Sequence, residues 1–144
     1  MTIQAFLVRL GVAAVLGIAI GFERQWRHRS VGLHTSSLVS VGAALFALLD
    51  YTLHAGDSTR IIAGVVTGVG FIAGGVILRS GLSVTGLNTA ATVWATAAIG
   101  ALAGFGFYAE AAAGAVTIIL VNLVLQPLAD AIDARMQAHH RDPE

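Results

Sequence analysis

Five apolar segments, each about 20 residues long, follow one another along this chain with only short polar connections between them. A helix needs about 20 mostly apolar residues to cross the hydrocarbon core of a bilayer. We therefore predict an all-α fold, a polytopic transmembrane helix bundle of about five spans in one domain, residues 1–128. A short cytoplasmic tail, residues 129–144, is expected to follow. The predicted spans are about 3–22, 35–53, 61–78, 87–105 and 108–128.

The composition indicates that lipid, and not water, surrounds this bundle. Hydrophobic residues make up 56% of the 144 positions and charged residues only 11%, whereas a soluble domain carries about 25% charged residues. A soluble chain of this length has too little interior to bury so much apolar surface. The lipid bilayer is therefore its first expected partner. The formal net charge of zero gives no indication of nucleic acid as a partner.

Basic residues follow the first apolar segment instead of preceding it. A cleavable signal peptide places its positive charge before the apolar run, whereas here Arg24, Arg27 and Arg29 come after it. Basic residues favour the cytoplasmic side of a membrane. This places the first connection inside the cell and the N-terminus outside, with six arginines inside and one outside. We predict an N-out, C-in topology.

Two charged residues lie within the apolar segments, where charge is expensive. Arg9 lies in the first segment and Asp50 near the end of the second, so the N-out topology places both at similar depth in the outer leaflet. A charge inside the membrane costs about 2.5–3.5 kcal/mol on insertion scales, which favours pairing. We predict an outer-leaflet polar pair. It is interpreted either as a buried ion pair that sets helix register or as part of an ion pathway, and Arg9 can alternatively reach the interface.

The connection from Arg79 to Thr89 is rich in glycine and hydroxyl residues and ends where the fourth span begins. Asn88 or Thr89 can cap free N–H groups at that helix start. A helix start beside an arginine also suits an anion. The residue types leave both interpretations open, a cap with a flexible turn or an anion site.

Four glycine pairs with GxxxG spacing occur in the spans. Such pairs allow helix backbones to approach closely in membranes. We expect Gly68 and Gly74 in particular to face other helices at short range. The pairs are Gly17/Gly21, Gly64/Gly68, Gly70/Gly74 and Gly100/Gly104.

Arrangements of residues that support catalysis are not found in this sequence. No serine has an evident base, and no paired carboxylates face each other on one helix. The chain has no cysteine, which excludes disulfides, thiolate metal sites and a cysteine nucleophile. We predict no catalytic residue, no metal site and no cofactor, and expect the protein not to be an enzyme.

Several short motifs, in this order and spacing, resemble the MgtC/SapB family of bacterial membrane proteins. The resemblance covers about residues 5 to 125. The motifs are GIAIGFER at 17–24, VGLHT at 31–35, VGAALF at 41–46, DSTRI at 57–61, GVGFIAGGVIL at 68–78, VTGLNTAATVW at 84–94 and AAIG at 97–100.

The resemblance implies a multi-pass protein of the bacterial inner (plasma) membrane. Well-known members are linked to survival at low magnesium and inside macrophages. They resemble regulators more than magnesium transporters, and the membrane sector of the ATP synthase is one implied partner. Members of that type add a C-terminal ACT-like domain, so this chain is expected to be a short form without it. His34 also departs from the arginine usual in the family's Gly-Leu-Arg-Thr motif.

We therefore predict one function and one alternative. The first is a non-enzymatic protein that modulates magnesium or ion homeostasis, or membrane energetics, through contacts with other membrane proteins. Its predicted binding residues form a motif cluster at the cytoplasmic ends of spans one, three and four. The alternative is a small ion transporter or channel with Arg9, Asp50 and Glu110 at its outer entrance. A homo-oligomer is left open. The motif cluster comprises Glu23, Arg24, Arg79, Asn88, Thr89 and Trp94.

Overall fold

The computed structural model describes residues 1–53, 56–80 and 83–139. Within them the chain forms five helices and one short hairpin between the third and fourth helices. The elements are α1 (Ile3–Trp26), α2 (Leu33–Leu53), α3 (Ser58–Gly74), β1 (Leu78–Ser80), β2 (Ser83–Thr85), α4 (Leu87–Phe105) and α5 (Tyr108–His139).

The helical fold class is confirmed. Among the described residues, α1, α2, α4 and the Tyr108–Ala129 part of α5 are each long and apolar enough to cross a membrane, while α3 is shorter at 17 residues. The predicted third span ran to residue 78, but α3 ends at Gly74 because the chain turns there into β1. In the other direction, α5 continues through Pro127 to His139. The N-out, C-in orientation and the boundary at residue 128 stay predictions.

The hairpin after α3 sets where α4 begins. Strand β1 pairs antiparallel with β2, and Arg79 lies opposite Val84. Gly86 then starts α4 with a φ of +91°, a backbone conformation that favours glycine. A Cβ at Gly86 would collide with the carbonyl oxygen of Val76. The tight turn therefore holds the first turn of α4 against the end of α3.

Three helices form the centre of the bundle. Helix α2 packs along both α1 and α4, and α1 also contacts α4. Helix α3 lies outside against α4 and α2, and α5 lies outside against α4 and α1. The α1–α2 connection and the hairpin lie at one end, which we call the arginine end because Arg24, Arg27 and Arg29 are there. The α2–α3 and α4–α5 connections lie at the opposite end.

Close packing in the centre depends on two of the glycine pairs. A Cβ at Gly17 would lie 2.8 Å from the Cβ of Ser40, and one at Gly104 would lie 2.7 Å from the carbonyl oxygen of Ala44. Real Cβ atoms do not approach so closely, so these positions accept only glycine without movement of α2. The contacts place α1 and α4 directly against the backbone of α2.

The glycines of α3 do not pack in this way, and the expectation for Gly68 and Gly74 was wrong. Added Cβ atoms at Gly64, Gly68, Gly70 and Gly74 would meet nothing within 4 Å among the described residues. The physical reason is an open groove of about 730 Å³ between α2 and α3, lined in part by Gly64 and Gly68. GxxxG spacing predicts that a helix face can pack closely, but it does not predict whether another helix lies against that face.

The middle of the bundle is uncharged and mostly apolar, and the buried hydroxyls of Ser40 and Thr96 donate there to the backbone carbonyl oxygens of Ala13 and Thr92. A core of small and branched side chains from α1, α2, α4 and α5 fills it, and each of these side chains is almost completely buried. This layer separates the charged groups at the arginine end from those at the opposite end. Its members are Ala13, Ile20, Ala44, Ile99, Ala103, Ala111 and Ala115.

Candidate functional site

A fully buried arginine joins the end of α1 to the start of α4. Arg24 lies in the last turn of α1 and has no exposed surface. Its Nη2 donates a hydrogen bond of 2.6 Å to the hydroxyl oxygen of Thr89, in the first turn of α4. Both residues belong to the predicted motif cluster, and the structure brings them together.

The neighbouring carboxylate of Glu23 turns toward α5. The Nδ2 of Asn122 donates a long hydrogen bond of 3.4 Å to Glu23 Oε2, and Arg27 Nη1 lies 3.9 Å from Glu23 Oε1. The same Arg27 nitrogen donates to the backbone carbonyl oxygen of Asn122 at 2.8 Å. Glu23 and Arg27 together therefore hold α5 against the end of α1.

Thr92 extends this network within α4. Its hydroxyl donates to the carbonyl oxygen of Asn88 at 2.9 Å and lies 3.5 Å from Oδ1 of Asn122. Three helices therefore meet through polar side chains at this depth. We call the set formed by Glu23, Arg24, Arg27, Thr89, Thr92 and Asn122 the charged cluster.

Several buried polar atoms near the arginine end have no hydrogen-bond partner in the part of the chain that the structure describes. They are Nε and Nη1 of Arg24, Oε1 of Glu23 and the hydroxyl oxygen of Ser36. Leaving a buried donor or acceptor without a partner costs about 1–3 kcal/mol, and more for a charged group. The cluster therefore retains an unmet capacity to bind polar groups.

Three predicted motif residues lie outside the charged cluster. Arg79 is exposed on β1, and Asn88 is exposed at the start of α4. Trp94 is half-exposed and lines an apolar cleft between α3 and α4. The expected approach of Glu23 to Arg79 is not made, because the Glu23 carboxylate faces Asn122 and Arg27. A binding role for the motif residues stays a prediction.

At the opposite end, the two predicted charges have separate partners instead of forming an ion pair. Arg9 Nη1 donates to the carbonyl oxygen of Gly104 at 3.0 Å, and its guanidinium carbon lies 5.1 Å from the centre of the Tyr51 ring. The Oδ2 of Asp50 accepts a 2.5 Å hydrogen bond from Ser58. The two residues share a depth, but their hydrogen-bond partners lie on different helices, on α4 for Arg9 and on α3 for Asp50.

Asn122, Arg27 and Thr92 were not among the predicted site residues. A signal for Asn122 exists, because it is the one amide between Tyr108 and Leu125. Polar side chains inside a membrane span are rare and usually face the bundle interior. Arg27 and Thr92 carry no comparable signal, since arginine is common after a span and threonine is common within one.

No group of three or more histidine, cysteine, aspartate and glutamate side chains that could hold a metal ion is found within residues 1–53, 56–80 and 83–139. The charged cluster offers one carboxylate, two guanidinium groups, two hydroxyls and one amide. It can hold helices together or bind a polar group, and it contains no nucleophile with an adjacent base.

These features define a helical membrane protein with a buried charged cluster at one end. The family model for the MgtC family matches residues 10–131, and the chain belongs to that family. Similar proteins include Protein MgtC of Brucella abortus (strain 2308), 49% identical over 126 residues, and Protein MgtC of Salmonella typhimurium (strain LT2), 44% identical over 133 residues. An uncharacterized protein of Synechocystis, slr0014, is 52% identical over 128 residues.

These similarities cover most of this chain but only part of the relatives. The three alignments span 86% of this chain with the Brucella protein, 92% with the Salmonella protein and 88% with the Synechocystis protein. They span 52%, 58% and 55% of those proteins, in the same order. The chain thus spans a little over half the length of the curated relatives it matches. No solved structure matches it.

Proposed function

We propose that this chain is a non-enzymatic, multi-pass protein of the bacterial inner membrane that modulates magnesium or ion homeostasis, or membrane energetics. It acts through contacts with another membrane protein, for which the membrane sector of the ATP synthase is one candidate. Membership of the MgtC family supports this proposal. The observation that carries it is the separation of the charged side chains of the bundle into two end layers.

An uncharged and mostly apolar layer lies between those end layers. At the arginine end, Arg24 bonds to Thr89, and at the opposite end Arg9 bonds to the carbonyl oxygen of Gly104. Ala13 and Ala103, which lie between them along α1 and α4, are fully buried in the apolar core. An ion crossing the bundle would meet no charged side chain there, and the two fully buried hydroxyls of this layer, on Ser40 and Thr96, already donate to backbone carbonyl oxygens. This favours a contact function over conduction by one copy of the chain.

The contact surface is proposed to lie at the arginine end. There the hairpin exposes Leu78, Arg79 and Val84, and Trp26 is 76% exposed at the end of α1. Tryptophan and arginine are suited to the boundary between lipid and water. A partner helix or loop at this boundary would meet apolar and charged groups together, a combination frequent at protein interfaces.

The test uses a bacterium that carries this protein and from which its gene has been removed. Growth and membrane potential are measured at low and high magnesium after the chain is returned as wild type, Arg79→Ala or Asn88→Ala. Both residues are exposed, and the membrane level of each variant shows whether its substitution disturbs folding. We expect loss of the gene to impair growth at low magnesium, and both variants to restore it poorly.

Arg60→Ala is the matched control, because Arg60 is also an exposed arginine but lies at the opposite end. It should restore growth like the wild type. Membrane levels of all variants are compared by immunoblot. Full restoration by Arg79→Ala and Asn88→Ala at normal levels would contradict the contact surface. Ion flux through liposomes that contain only this protein would instead support the transporter alternative.

A further inference from the structure

The guanidinium of Arg24 has more hydrogen-bonding capacity than the protein uses. It is completely buried, and one of its three nitrogen atoms donates to Thr89. The other two, Nε and Nη1, are also buried and have no partner among the described residues. A buried guanidinium normally satisfies its donors, because desolvation without compensation is costly for a charge.

The carboxylate nearest to Arg24 in the sequence accepts no hydrogen bond from it. Residues 23–29 contain one carboxylate and three guanidinium groups. That carboxylate, on Glu23, is directed to Asn122 and Arg27 on the α5 side. Arg24 is bonded on the other side, to α4, and among the described residues no carboxylate accepts a hydrogen bond from its guanidinium.

The start of α4 adds partial positive charge at the same place. Gly86 precedes the helix and offers no side-chain cap, and the first intrahelical bond runs from the Ala90 N–H to the Gly86 carbonyl oxygen at 2.8 Å. The first N–H groups of a helix have no partner inside it and carry a positive partial charge. Thr89, the acceptor of the Arg24 bond, lies in this first turn. A cation beside a helix start is unfavourable unless an anion accompanies it.

We propose that the arginine end holds a binding site for a small tetrahedral oxyanion, such as phosphate, between Arg24 and the first turn of α4. An oxyanion satisfies both requirements of the site, since it brings negative charge and several acceptor oxygens. Water would supply acceptors but no charge. The proposal goes beyond the contact function, and its test needs no partner protein.

The unpartnered nitrogens of Arg24 are closed off from water, so an oxyanion reaches them only when a neighbouring part of the chain moves, and the α1–α2 connection, residues 27–32, begins three residues after Arg24. This connection contains His28 with a φ of +53°, which is uncommon for a residue other than glycine. It is tied to α1 by a hydrogen bond of 3.2 Å from the Leu33 N–H to the Gln25 side-chain oxygen. Further bonds run from the Arg29 N–H to the Arg24 carbonyl oxygen and from the Arg27 guanidinium to the Asn122 carbonyl oxygen, so opening the connection breaks several hydrogen bonds at the helix ends.

The experiment measures the thermal unfolding of detergent-purified wild-type protein while inorganic phosphate replaces chloride at constant ionic strength. We expect a saturable rise of the melting temperature with phosphate and with sulfate. Arg24→Gln should abolish the rise, and Arg60→Gln, which removes a distant and exposed arginine, should keep it. A wild-type melting temperature that does not respond to phosphate or sulfate overturns the proposal, whether or not Arg24→Gln folds.

The same chemistry could come from a lipid headgroup, and a second arm distinguishes the two sources. The titration is repeated in nanodiscs of phosphatidylcholine and of phosphatidylglycerol. A free oxyanion predicts the same phosphate response in both. A headgroup phosphate predicts that the response is lost in nanodiscs and that Arg24→Gln loses a lipid-dependent stabilisation that Arg60→Gln retains. A phosphate response of equal size in Arg24→Gln and wild type contradicts both sources.

Discussion

The Nη2 of Arg24 lies 2.6 Å from the hydroxyl oxygen of Thr89, so the last turn of α1 is bonded to the first turn of α4 across 65 residues of sequence. Both side chains are buried. The bond fixes the rotation of α1 and α4 relative to each other at the arginine end. It also determines which donors of Arg24 remain available, because only one nitrogen is used.

Thr89→Val should destabilise the protein by about 1–3 kcal/mol, because it leaves a third buried nitrogen of Arg24 without an acceptor. Thr89→Ser retains the hydroxyl and should cost much less. Thermal unfolding in detergent measures the difference. Thr67→Val is the matched control, since the Thr67 hydroxyl is exposed and bonds only to the Ala63 carbonyl oxygen of its own helix. Equal stability of Thr89→Val and Thr67→Val would show that the Arg24 bond contributes nothing.

Helix positions could be predicted here because a membrane span must be long and apolar, and a sequence shows both properties directly. The position of each residue along the helix bundle could also be predicted. The rotation of each helix about its own axis could not, and this rotation determines which side chains meet at the site. Glu23 and Arg79 lie at the same end, yet Glu23 faces α5 while Arg79 is exposed on the hairpin. Arg9 and Asp50 likewise share a depth but take their partners from different helices.

Gly100→Ala should lower the folded yield and destabilise the bundle by at least about 1–3 kcal/mol through overpacking. A Cβ at this position would collide with the backbone carbonyl of Ser40 on α2. Gly68→Ala serves as the control, since its Cβ would meet nothing within 4 Å among the described residues. Yield and melting temperature are compared after identical purification. The predicted packing is wrong if the two substitutions have the same effect.

Asp50 and Ser58 should be energetically coupled, whereas Arg9 and Asp50 should not. The Ser58 hydroxyl donates to Asp50, and a hydrogen bond to a charged group contributes about 1.5–3 kcal/mol. Two double-mutant cycles, one for each pair, measure the coupling energies. We expect the Arg9–Asp50 cycle to give less than about 0.5 kcal/mol, as for independent sites. A larger coupling energy for Arg9 and Asp50 than for Asp50 and Ser58 would instead support the ion pair expected from the sequence.

Asn122→Leu should loosen α5 at the arginine end, because Glu23 loses its amide donor while remaining buried. We expect a loss of about 1–3 kcal/mol in stability. Thr117→Val is the control on the same helix, since the Thr117 hydroxyl is exposed and bonds within α5. The melting temperatures of both variants measure the loss of stability. No difference between them would mean that α5 is held by apolar contacts alone.

The orientation of the bundle decides which compartment the arginine end faces, and single cysteines can measure it because the chain has none of its own. Ser30 lies in the α1–α2 connection and Thr2 precedes α1, and both are exposed. Arginines favour the cytoplasmic side, so Ser30→Cys should be protected from a membrane-impermeant thiol reagent in intact cells, and Thr2→Cys should be labelled.

Permeabilised cells provide the control, since both cysteines should then react. Labelling of Ser30→Cys in intact cells, or protection of Thr2→Cys there, would reverse the topology. That result would place the charged cluster and the hairpin on the periplasmic side. A cytoplasmic partner could then no longer reach Arg79, and an oxyanion would have to approach Arg24 from outside the cell. The measurement therefore constrains both proposals at once, before any partner or ligand is identified.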